Sequence, residues 1–525
     1  MVVRGDNLAG WTALEFFANR SSDPSGYGEG EIFLGARNVS GQPTFEETFP
    51  APATGCVITM TGTTSGGYTS LFSRGVLIGR TPGVITVNSA ADPAAVDLCG
   101  GPCAAGGDGC TLREAITRAN ATPETDTITF DINGPRTISL KAPLPPLIDP
   151  VVIDGTTQPG FSGKPLIELD GSGAGRVSGL ELIAGDSVVK SLVINRFYYV
   201  GIAVGSEDNV IQGNFIGTDP TGTVARGNAY AGVGVPGYQG YTPLRNNLIG
   251  GPTAADRNLI SGNGWGVIAG GGVRLLGNFI GTDHTGTKPL GNGYGGIQAG
   301  ISPNADVYAA GVAIGGPGPG EGNLISGNDG SGIVLEGGAD VQGNKIGTTA
   351  NGKKPLGNGW AGITDASGYG SVDARDNIIA YNGTYGIGAY VVGTLLRNSI
   401  HSNGLEGLHM YNDPDYDILP VVRSASQSRG RLAITGSVYD LPEVDLDLEI
   451  EVFANEACDP SGYGEGQLPL GSVSATRDGF GDASFSISVD APPGRFQYVT
   501  ATVTTFIGGY SDTSSFSNCL PVSGK

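Results

Sequence analysis

The sequence predicts an all-β fold in which a parallel β-helix lies between two small β-sandwich modules. Three observations predict this fold. Glycine supplies 91 of the 525 residues and follows no three-residue period, which excludes collagen and indicates a chain rich in turns. A unit of about 65 residues repeats through the middle of the chain. A different repeat, with the pattern of a small sandwich, occurs once at each end.

The first predicted module covers residues 1–80. Its segment LEFFANRSSDPSGYGEGEIFLGA matches LEIEVFANEACDPSGYGEGQLPLGS in a second module at 419–525. Alternating strands with a turn about every 8 to 12 residues predict a small β-sandwich in both places. The C-terminal copy opens with a strand at 419–422 that has no counterpart in the N-terminal copy. We therefore expect residues 1–80 to form a sandwich that lacks its first strand.

The β-helix is expected to start within residues 81–150. Thr111 and Glu114 have the spacing of a capping box. Apolar residues follow at helical spacing, namely Leu112, Ala115, Ile116 and Ala119. This pattern predicts an amphipathic helix over 111–120. Because the open end of a strand stack invites aggregation, we expect the helix to cover the first coil.

Residues 151–418 carry the repeats that predict the coils. GNFIGTDPTGT starts at Gly213, GNFIGTDHTGT at Gly277 and GNKIGTTANGK at Gly343. Two shorter repeats, NGTYGI at Asn382 and NGLEGL at Asn403, start 21 residues apart, a spacing typical of one coil of a parallel β-helix. The longer unit is then two coils that carry two insertions, GTDxTGTxxxGN and IGGPxxxxxN.

Glycine and asparagine are the residues expected at the sharp corners of such coils. Both tolerate the left-handed backbone conformation that a tight corner requires. Asn214, Asn278 and Asn344 occupy matched positions in successive units. We therefore expect asparagine side chains to hydrogen-bond to one another along the stack.

The cysteines predict one disulfide and leave the others open. Cys458 aligns with Ser22 of the N-terminal module, and Cys519 aligns with about Gly75, so both cysteines are present in one copy and absent from the other. A Cys458–Cys519 disulfide explains this joint change. The other four cysteines allow three pairings, with a zinc site at the last three as an alternative: Cys56, Cys99, Cys103 and Cys110.

Two motifs carry a resemblance to known proteins. CTLREAITRAN, which begins at Cys110, resembles the CSLREA-type start found before right-handed parallel β-helix repeats in bacterial surface proteins. The two FANxxxDPSGYGEG segments are similar to the Ig-like modules that accompany such repeats. The resemblance implies a right-handed helix, Ig-like sandwiches and an extracellular location. It implies no particular activity.

The charge and composition exclude several partners. The formal net charge of −21 disfavours nucleic acid, and it disfavours polyanionic polysaccharides unless a cation bridges them. No segment approaches the roughly 18 to 20 apolar residues of a membrane span. Six cysteines in a chain with three methionines favour an oxidising compartment, so we expect an extracellular or cell-surface protein.

Five aromatic residues are the candidate ligand-binding residues. Tyr230, Tyr294 and Trp360 occupy one place in three successive units, and Trp265 and Tyr385 lie in the alternate coils. Stacked coils are expected to align them on one ridge, where flat rings with polar neighbours can stack on sugar faces. The alternative is that the rings pack at a corner against the inserted loops.

The sequence predicts no catalytic residues, metal or cofactor. The repeats contain no adjacent Asp-Asp pair and no Gly-His-Gly, and the loop acids Asp219 and Asp283 become Thr349 in the third copy. The densest group of titratable residues is interpreted as a polar end cap: His401, His409, Asp413, Asp415 and Asp417. Calcium is an alternative to a tight turn at the duplicated acidic pairs, Asp23 with Glu29 and Asp459 with Glu465.

The C-terminal tail predicts self-assembly. Leu520, Pro521 and Val522 resemble the strand that the N-terminal module lacks, and a sheet edge without its neighbour accepts a strand from a partner. Donation to the next subunit would build a head-to-tail fibre; the alternative is an unpaired tail. The predicted function is that of a non-catalytic extracellular structural protein. The alternatives are a glycan-binding adhesin and a polysaccharide-degrading enzyme with this fold.

Overall fold

The computed structural model divides into two compact units, Met1–Asn214 and Phe215–Lys525. The elements of its described residues are β-strands joined by turns and loops, apart from one α-helix and one short 3-10 turn at Gly155–Thr157. The described residues are 1–6, 9–20, 28–52, 55–93, 96–101, 103, 109–236, 244–300, 311–366, 368, 372–390, 392–411, 418–439, 441, 446–460, 464–477, 481–507 and 510–524.

The N-terminal unit begins with two small antiparallel sheets. Its strands are β1 (Val2–Asp6), β2 (Trp11–Asn19), β3 (Ile32–Asn38), β4 (Thr44–Thr48), β5 (Val57–Thr64) and β6 (Val76–Leu77). β1 pairs with β4, and the second sheet has the order β3-β2-β5-β6. Leu14 and Phe16 of the second sheet pack against Phe45 of the first. These apolar side chains join the two sheets into one module.

The predicted helix closes the start of the coils in this unit. The next elements are β7 (Val84–Val87), α1 (Leu112–Asn120), β8 (Asp126–Phe130) and β9 (Thr137–Ser139). The Thr111 hydroxyl accepts a hydrogen bond from the Glu114 amide at 3.3 Å, which is the cap that the sequence predicts. Every residue of α1 is buried, and the helix lies against β7 and β8.

The rest of the N-terminal unit is a stack of parallel coils. Its strands are β10 (Val151–Asp154), β11 (Ile167–Asp170), β12 (Leu180–Leu182), β13 (Val188–Lys190), β14 (Leu192–Asn195), β15 (Val200–Val204) and β16 (Val210–Gln212). They form three parallel sheets: β7-β8-β10-β13-β16, β9-β11-β14 and β12-β15. Each coil contributes one strand to each sheet, which is the arrangement of a parallel β-helix.

The C-terminal unit has the same three-sheet pattern. Sheet 1 contains β19 (Asn247–Gly250), β22 (Val273–Leu276), β25 (Val312–Gly315), β28 (Ala339–Gln342), β31 (Val372–Arg375) and β34 (Val392–Leu396). Sheet 2 contains β17 (Phe215–Ile216), β20 (Leu259–Ile260), β23 (Phe279–Ile280), β26 (Leu324–Ile325), β29 (Lys345–Ile346), β32 (Ile378–Ala380) and β35 (Ser399–His401). Sheet 3 contains β18 (Ala231–Val235), β21 (Trp265–Ala269), β24 (Gly295–Ala299), β27 (Ser331–Leu335), β30 (Ile363–Asp365), β33 (Ile387–Ala389) and β36 (Leu408–Met410). The predicted parallel β-helix is confirmed.

Asparagine ladders hold the corners of these coils. In each ladder the backbone N–H and the side-chain amide of one asparagine both donate to the Oδ1 atom of the asparagine in the next coil. Asn278, for example, donates to Asn323 Oδ1 at 2.9 Å from its backbone and 3.0 Å from its side chain. The ladder between sheets 1 and 2 contains Asn278, Asn323, Asn344, Asn377 and Asn398. The ladder between sheets 2 and 3 contains Asn263, Asn292, Asn328, Asn358, Asn382 and Asn403. The predicted stacking of Asn278 and Asn344 is confirmed, with Asn323 between them.

The chain ends in a second two-sheet module. Its strands are β37 (Pro420–Ser428), β38 (Arg431–Val438), β39 (Asp447–Asn455), β40 (Leu468–Ala475), β41 (Ala483–Asp490), β42 (Tyr498–Ile507), β43 (Tyr510–Thr513) and β44 (Leu520–Pro521). One sheet has the order β37-β38-β41, and the other contains β40, β39, β42 and β43, with β44 paired to β42. The predicted disulfide is present between Cys458 and Cys519. The Glu451 carboxylate accepts the Arg397 amide at 2.8 Å, so the module is held on the last coils.

The structure corrects the interpretation of the tail. Leu520 pairs with Val499 of its own module, and the Ser523 amide donates to the Ala425 carbonyl at 2.9 Å. At the equivalent place in the N-terminal module, Val76 pairs with Ile58. The tail residues Leu520, Pro521 and Val522 therefore match a strand that the N-terminal module already has. They are not the counterpart of its missing first strand.

Candidate ligand-binding groove

The register of sheet 3 places three of the predicted aromatic residues in one row. Along successive coils the row is Tyr230, Gly264, Tyr294, Gly330, Trp360. Backbone hydrogen bonds fix this order: the Tyr294 amide donates to the Gly264 carbonyl at 2.8 Å and the Trp360 amide to the Gly330 carbonyl at 3.2 Å. Aromatic and glycine residues thus alternate from coil to coil.

The alternation leaves the rings exposed and separated. Tyr294 and Trp360 are 60% and 67% exposed. Neighbouring strands lie about 4.8 Å apart, so residues in alternate coils are about 10 Å apart. A Cβ atom on Gly330 would come within 2.0 Å of the Tyr294 carbonyl oxygen. The coil between the two rings therefore accepts no side chain at this place, and the space above it stays open.

Two more predicted residues lie one position further along the alternate coils. Trp265 is half-buried, and its ring centroid lies 6.2 Å from that of Tyr294. Tyr385 is half-buried and stacks on His409, with centroids 4.1 Å apart and planes within 5°. The two side chains extend the aromatic surface on both sides of the Gly330 coil.

Together these side chains line a groove with a volume of about 860 Å³. Four of the five predicted residues contribute to it, namely Trp265, Tyr294, Trp360 and Tyr385. The fifth, Tyr230, belongs to the same row and is 51% exposed, but it does not line the groove. The floor contains Val334, Ala361 and Ala366. The result is an elongated apolar surface on the face of sheet 3.

Polar groups occur at the rim of this groove. Thr364 and Tyr411 share a hydrogen bond of 3.1 Å between their hydroxyls, and Asp329 and Thr384 also line the groove. Burial, together with the Glu406 carboxylate, raises the pKa of Tyr385 above its ordinary value, so this phenol stays protonated. The sequence interpretation missed Tyr411 and Thr364, because neither belongs to a motif that repeats.

The two described residues of the predicted polar cluster, His401 and His409, lie on different sheets. His409 follows the groove in sheet 3 and hydrogen-bonds through Nδ1 to Glu406 at 2.8 Å. His401 lies in sheet 2, packs edge-on against Tyr381, and has a pKa lowered by burial. Asp413, Asp415 and Asp417 lie outside the described residues.

The repeated loop acids have a structural role. The Asp283 carboxylate accepts the Thr287 and Lys288 amides at 3.0 and 3.2 Å. Burial opposes the charge, but these hydrogen bonds and one from Thr285 lower the pKa of Asp283 overall. Asp219 makes the same contacts in the preceding unit. The acids therefore fold their own loops.

The structure excludes the alternative of a zinc site at the cysteines, and it tests the alternative of calcium at the duplicated acidic pairs only in part. Disulfides join Cys56 to Cys99 and Cys103 to Cys110, so these sulfurs are not metal ligands. Within the described part of the chain, no group of three His, Cys, Asp or Glu residues could hold a metal ion. Glu465 instead accepts the Ser402 amide at 2.8 Å. Asp23 lies outside the described residues, and calcium there stays a prediction.

No described helix has the length and apolar character needed to cross a membrane. No protein-family model matches the chain, and no curated protein sequence matches it either.

Two solved structures of phage tailspikes are distantly similar. One is tailspike gp49 of the Acinetobacter baumannii bacteriophage Fri1, described as a capsular polysaccharide depolymerase; it is 8% identical over 88% of this chain and 90% of its own, with a TM-score of 0.26. The other is the enzymatically active domain of tailspike protein 4 from bacteriophage CBA120, 10% identical over 78% of this chain and 64% of its own, with a TM-score of 0.18. Similarities this weak support no inference about activity.

Proposed function

We propose that the protein is an extracellular carbohydrate-binding β-helix protein whose sheet 3 groove holds a saccharide without cleaving it. The observation that carries this proposal is the groove of about 860 Å³ in which five aromatic side chains meet, four of them predicted from the sequence. The three disulfides favour an oxidising compartment, which supports a location outside the cell.

The chemistry of the groove suits sugar rings better than other ligands. A pyranose presents flat patches of C–H groups edged by hydroxyls, and exposed Tyr and Trp rings offer matching apolar faces with a polar edge. The hydroxyls of Thr364 and Tyr411 and the Asp329 carboxylate line the same groove. Specific pockets commonly combine an apolar lining with a few polar groups in this way. An extended peptide would find no sheet edge here, because β24, β27 and β30 are paired on both sides.

Binding without cleavage is the form that the described side chains favour. Glycoside hydrolysis ordinarily needs two carboxylates on opposite sides of the bond that breaks. Among the described residues that line the groove, Asp329 is the only carboxylate. Release of reducing or unsaturated ends from any polysaccharide of a test panel would favour the enzyme alternative instead.

Substitution of Trp360 tests the proposal. A panel of neutral oligosaccharides is screened by glycan array, and the best ligand is titrated by calorimetry. Trp360→Ala removes a ring that is 67% exposed, so the fold should survive, whereas the loss of stacking should weaken binding at least about tenfold.

Tyr230→Ala is the matched control. Tyr230 holds the same position in the row and is 51% exposed, yet it lies outside the groove. Its removal should leave the affinity within about twofold of the unsubstituted protein. Equal losses in the two variants, or no binding by the unsubstituted protein, would overturn the proposal.

Assembly into a head-to-tail fibre is a second candidate function. Among the described residues β1 pairs with β4 alone, and a cleft of about 210 Å³ lies beside β1, lined by Val3, Phe45, Ile58 and Val76. An open edge next to an apolar cleft favours addition of a strand. The tail would have to leave its own module to supply that strand. Electron microscopy of the full chain should show filaments, and a uniform monomer at high concentration would contradict assembly.

A further inference from the structure

The two kinds of inserted loop enclose a second cavity, of about 920 Å³, on the outer face of sheet 2. The GTD loops stack on one another: the His284 amide donates to the Gly222 carbonyl at 3.0 Å, and the Ala350 amide to the Gly286 carbonyl at 2.9 Å. The glycine-rich segment 316–322, from the other insertion, forms the opposite wall. Since both loops belong to the repeat, the repeat itself creates this cavity.

The floor of the cavity is apolar except for one lysine. The outward positions of β23, β26 and β29 are Phe279, Leu324 and Lys345, which pair in register. The repeat has Phe at 215 and Phe at 279, in GNFIG, but Lys345 in GNKIG. The lysine therefore replaces phenylalanine in one of the three copies, and it shares the floor with Phe279 of the preceding copy. Its Nζ donates to the Ala350 carbonyl at 2.7 Å, which leaves two further N–H groups.

A second cation reaches the cavity from a different loop. Arg257 lies over the Phe279 ring, with its guanidinium carbon 4.1 Å from the centroid, and its Nε donates to the Gly277 carbonyl at 3.1 Å. The other copy of this loop has Gly322 where Arg257 stands. Arg257 and Lys345 thus each occur in one copy of the repeat only, and both place positive charge in one cavity.

No described carboxylate neutralises either cation. Neither Arg257 nor Lys345 forms an ion pair within the described chain. Asp376 also lines the cavity, but Arg397 holds it with two hydrogen bonds of 2.7 and 2.9 Å. The third GTD loop has Thr349 in place of the aspartate of the other two copies. Burial lowers the pKa of Arg257, because its charge is partly removed from water without a counter-charge.

We propose that this cavity is a binding site for a small oxyanion, a carboxylate, sulfate or phosphate group, held between Arg257 and Lys345. Guanidinium and ammonium groups form strong charge-assisted hydrogen bonds with such oxygens. The net charge of −21 does not prevent this, because interactions between exposed charges are screened beyond about 8 Å at physiological ionic strength. A single anionic group therefore responds to the local cations, whereas a long polyanion meets the acidic surface.

The site is independent of the aromatic groove. The groove lies on sheet 3 and the cavity on sheet 2, and Arg257 and Lys345 do not line the groove. The protein can bind a neutral saccharide in one and an oxyanion in the other. Loss of either activity by substitution therefore leaves the other proposal untouched.

Titration with defined anions tests the site. Sodium sulfate, sodium phosphate and sodium glucuronate are titrated into the full chain by calorimetry, at ionic strength held constant with chloride. Lys345→Phe introduces the residue that the other repeats carry, so the coil should fold normally. Arg257→Gln removes the second cation. Each variant should lower the anion affinity at least about tenfold, as expected for loss of a charged hydrogen bond.

Lys353→Gln is the control, since Lys353 is exposed in the same loop as Ala350 but does not line the cavity. The affinity of Lys353→Gln for each anion should stay within about twofold of that of the unsubstituted protein. Glucuronate binding tighter than sulfate or phosphate identifies a sugar acid, and the reverse order identifies a free inorganic ion. Unchanged affinity in Lys345→Phe and Arg257→Gln, or no binding of any of the three anions, overturns the proposal.

Discussion

Replacement of Asn328 by leucine should destabilise the neighbouring coils of the C-terminal unit. Asn328 is 2% exposed and lies in the ladder between sheets 2 and 3. Its Oδ1 accepts the Asn292 backbone N–H at 3.3 Å and the Asn292 side-chain amide at 2.8 Å. Its Nδ2 donates to the Ile280 carbonyl at 3.3 Å and to Asn358 Oδ1 at 2.8 Å. Leucine has a similar volume and none of these four hydrogen bonds.

The remaining contacts decide the size of the effect. The Ile280 carbonyl still accepts the Ser326 amide at 3.0 Å. Asn358 Oδ1 still accepts the backbone N–H of residue 328 at 3.2 Å, and the Asn292 side chain still donates to Ile260 at 3.0 Å. The Asn292 backbone N–H loses its acceptor and is left buried. One orphaned donor at about 2 kcal/mol and three lost hydrogen bonds at about 1 kcal/mol each give roughly 5 kcal/mol.

Hydrogen exchange measures this loss coil by coil, which avoids assuming that a chain with several modules unfolds in one step. A loss of roughly 5 kcal/mol lowers the protection of the neighbouring amides by about three to four orders of magnitude. Asn351→Leu is the control, because Asn351 is exposed in a loop and water can replace its hydrogen bonds. Protection in Asn328→Leu within tenfold of that in Asn351→Leu would refute the reasoning.

One buried carboxylate, Glu451, and one half-buried carboxylate, Asp149, predict how stability depends on pH. Burial raises the pKa of Glu451 from 4.5 to about 7. Between these two pH values the folded chain therefore binds more protons than the unfolded chain. The free energy of unfolding should fall by about 3 kcal/mol as the pH rises through this range. Glu451→Gln keeps an acceptor for the Arg397 amide and should flatten this dependence in urea unfolding; an unchanged slope would contradict it. In the N-terminal unit burial raises the pKa of Asp149 from 3.8 to about 6 despite Arg74. The free energy of unfolding should therefore also fall as the pH rises from about 4 to about 6. Scanning calorimetry at these two pH values should show the fall in the unsubstituted protein but not in Asp149→Asn.

The features that the sequence predicts correctly are those that the repeat dictates. A coil must place its apolar residues inward and a tight turn at each corner, so the period of Ile, Val and Asn determines the register. That register then aligns Tyr294 and Trp360 without further information. The Cys458–Cys519 bond was predictable for a similar reason, because a disulfide requires both cysteines to appear together.

The features that the sequence could not predict depend on contacts between distant segments. The Cys56–Cys99 bond joins the first module to the start of the coils, and no spacing rule selects it among three pairings. Tyr411 lines the groove but follows the last strand of sheet 3, outside any repeat. The tail was misassigned because its sequence resembles that of the first strand of the module, each being a short apolar segment with a proline. Only the strand partner distinguishes them: Leu520 pairs with Val499, whereas the first strand, β37, pairs with β38.

Both candidate sites follow from one property of the coil. Inward positions such as Ile297, Ile333 and Ile363 are fully buried, and a change there alters the core of two neighbouring coils at a cost of about 1 to 3 kcal/mol or more. Outward positions stack on the same register but touch solvent, where most substitutions change stability by less than about 0.5 kcal/mol. A repeat that has become a rigid scaffold can therefore vary its outer face freely. Trp360 stands at an outward position that is tyrosine in the other two units, and Lys345 at one that is phenylalanine. Since neither change is needed to form a coil, both are more informative about binding than the buried residues that the copies share.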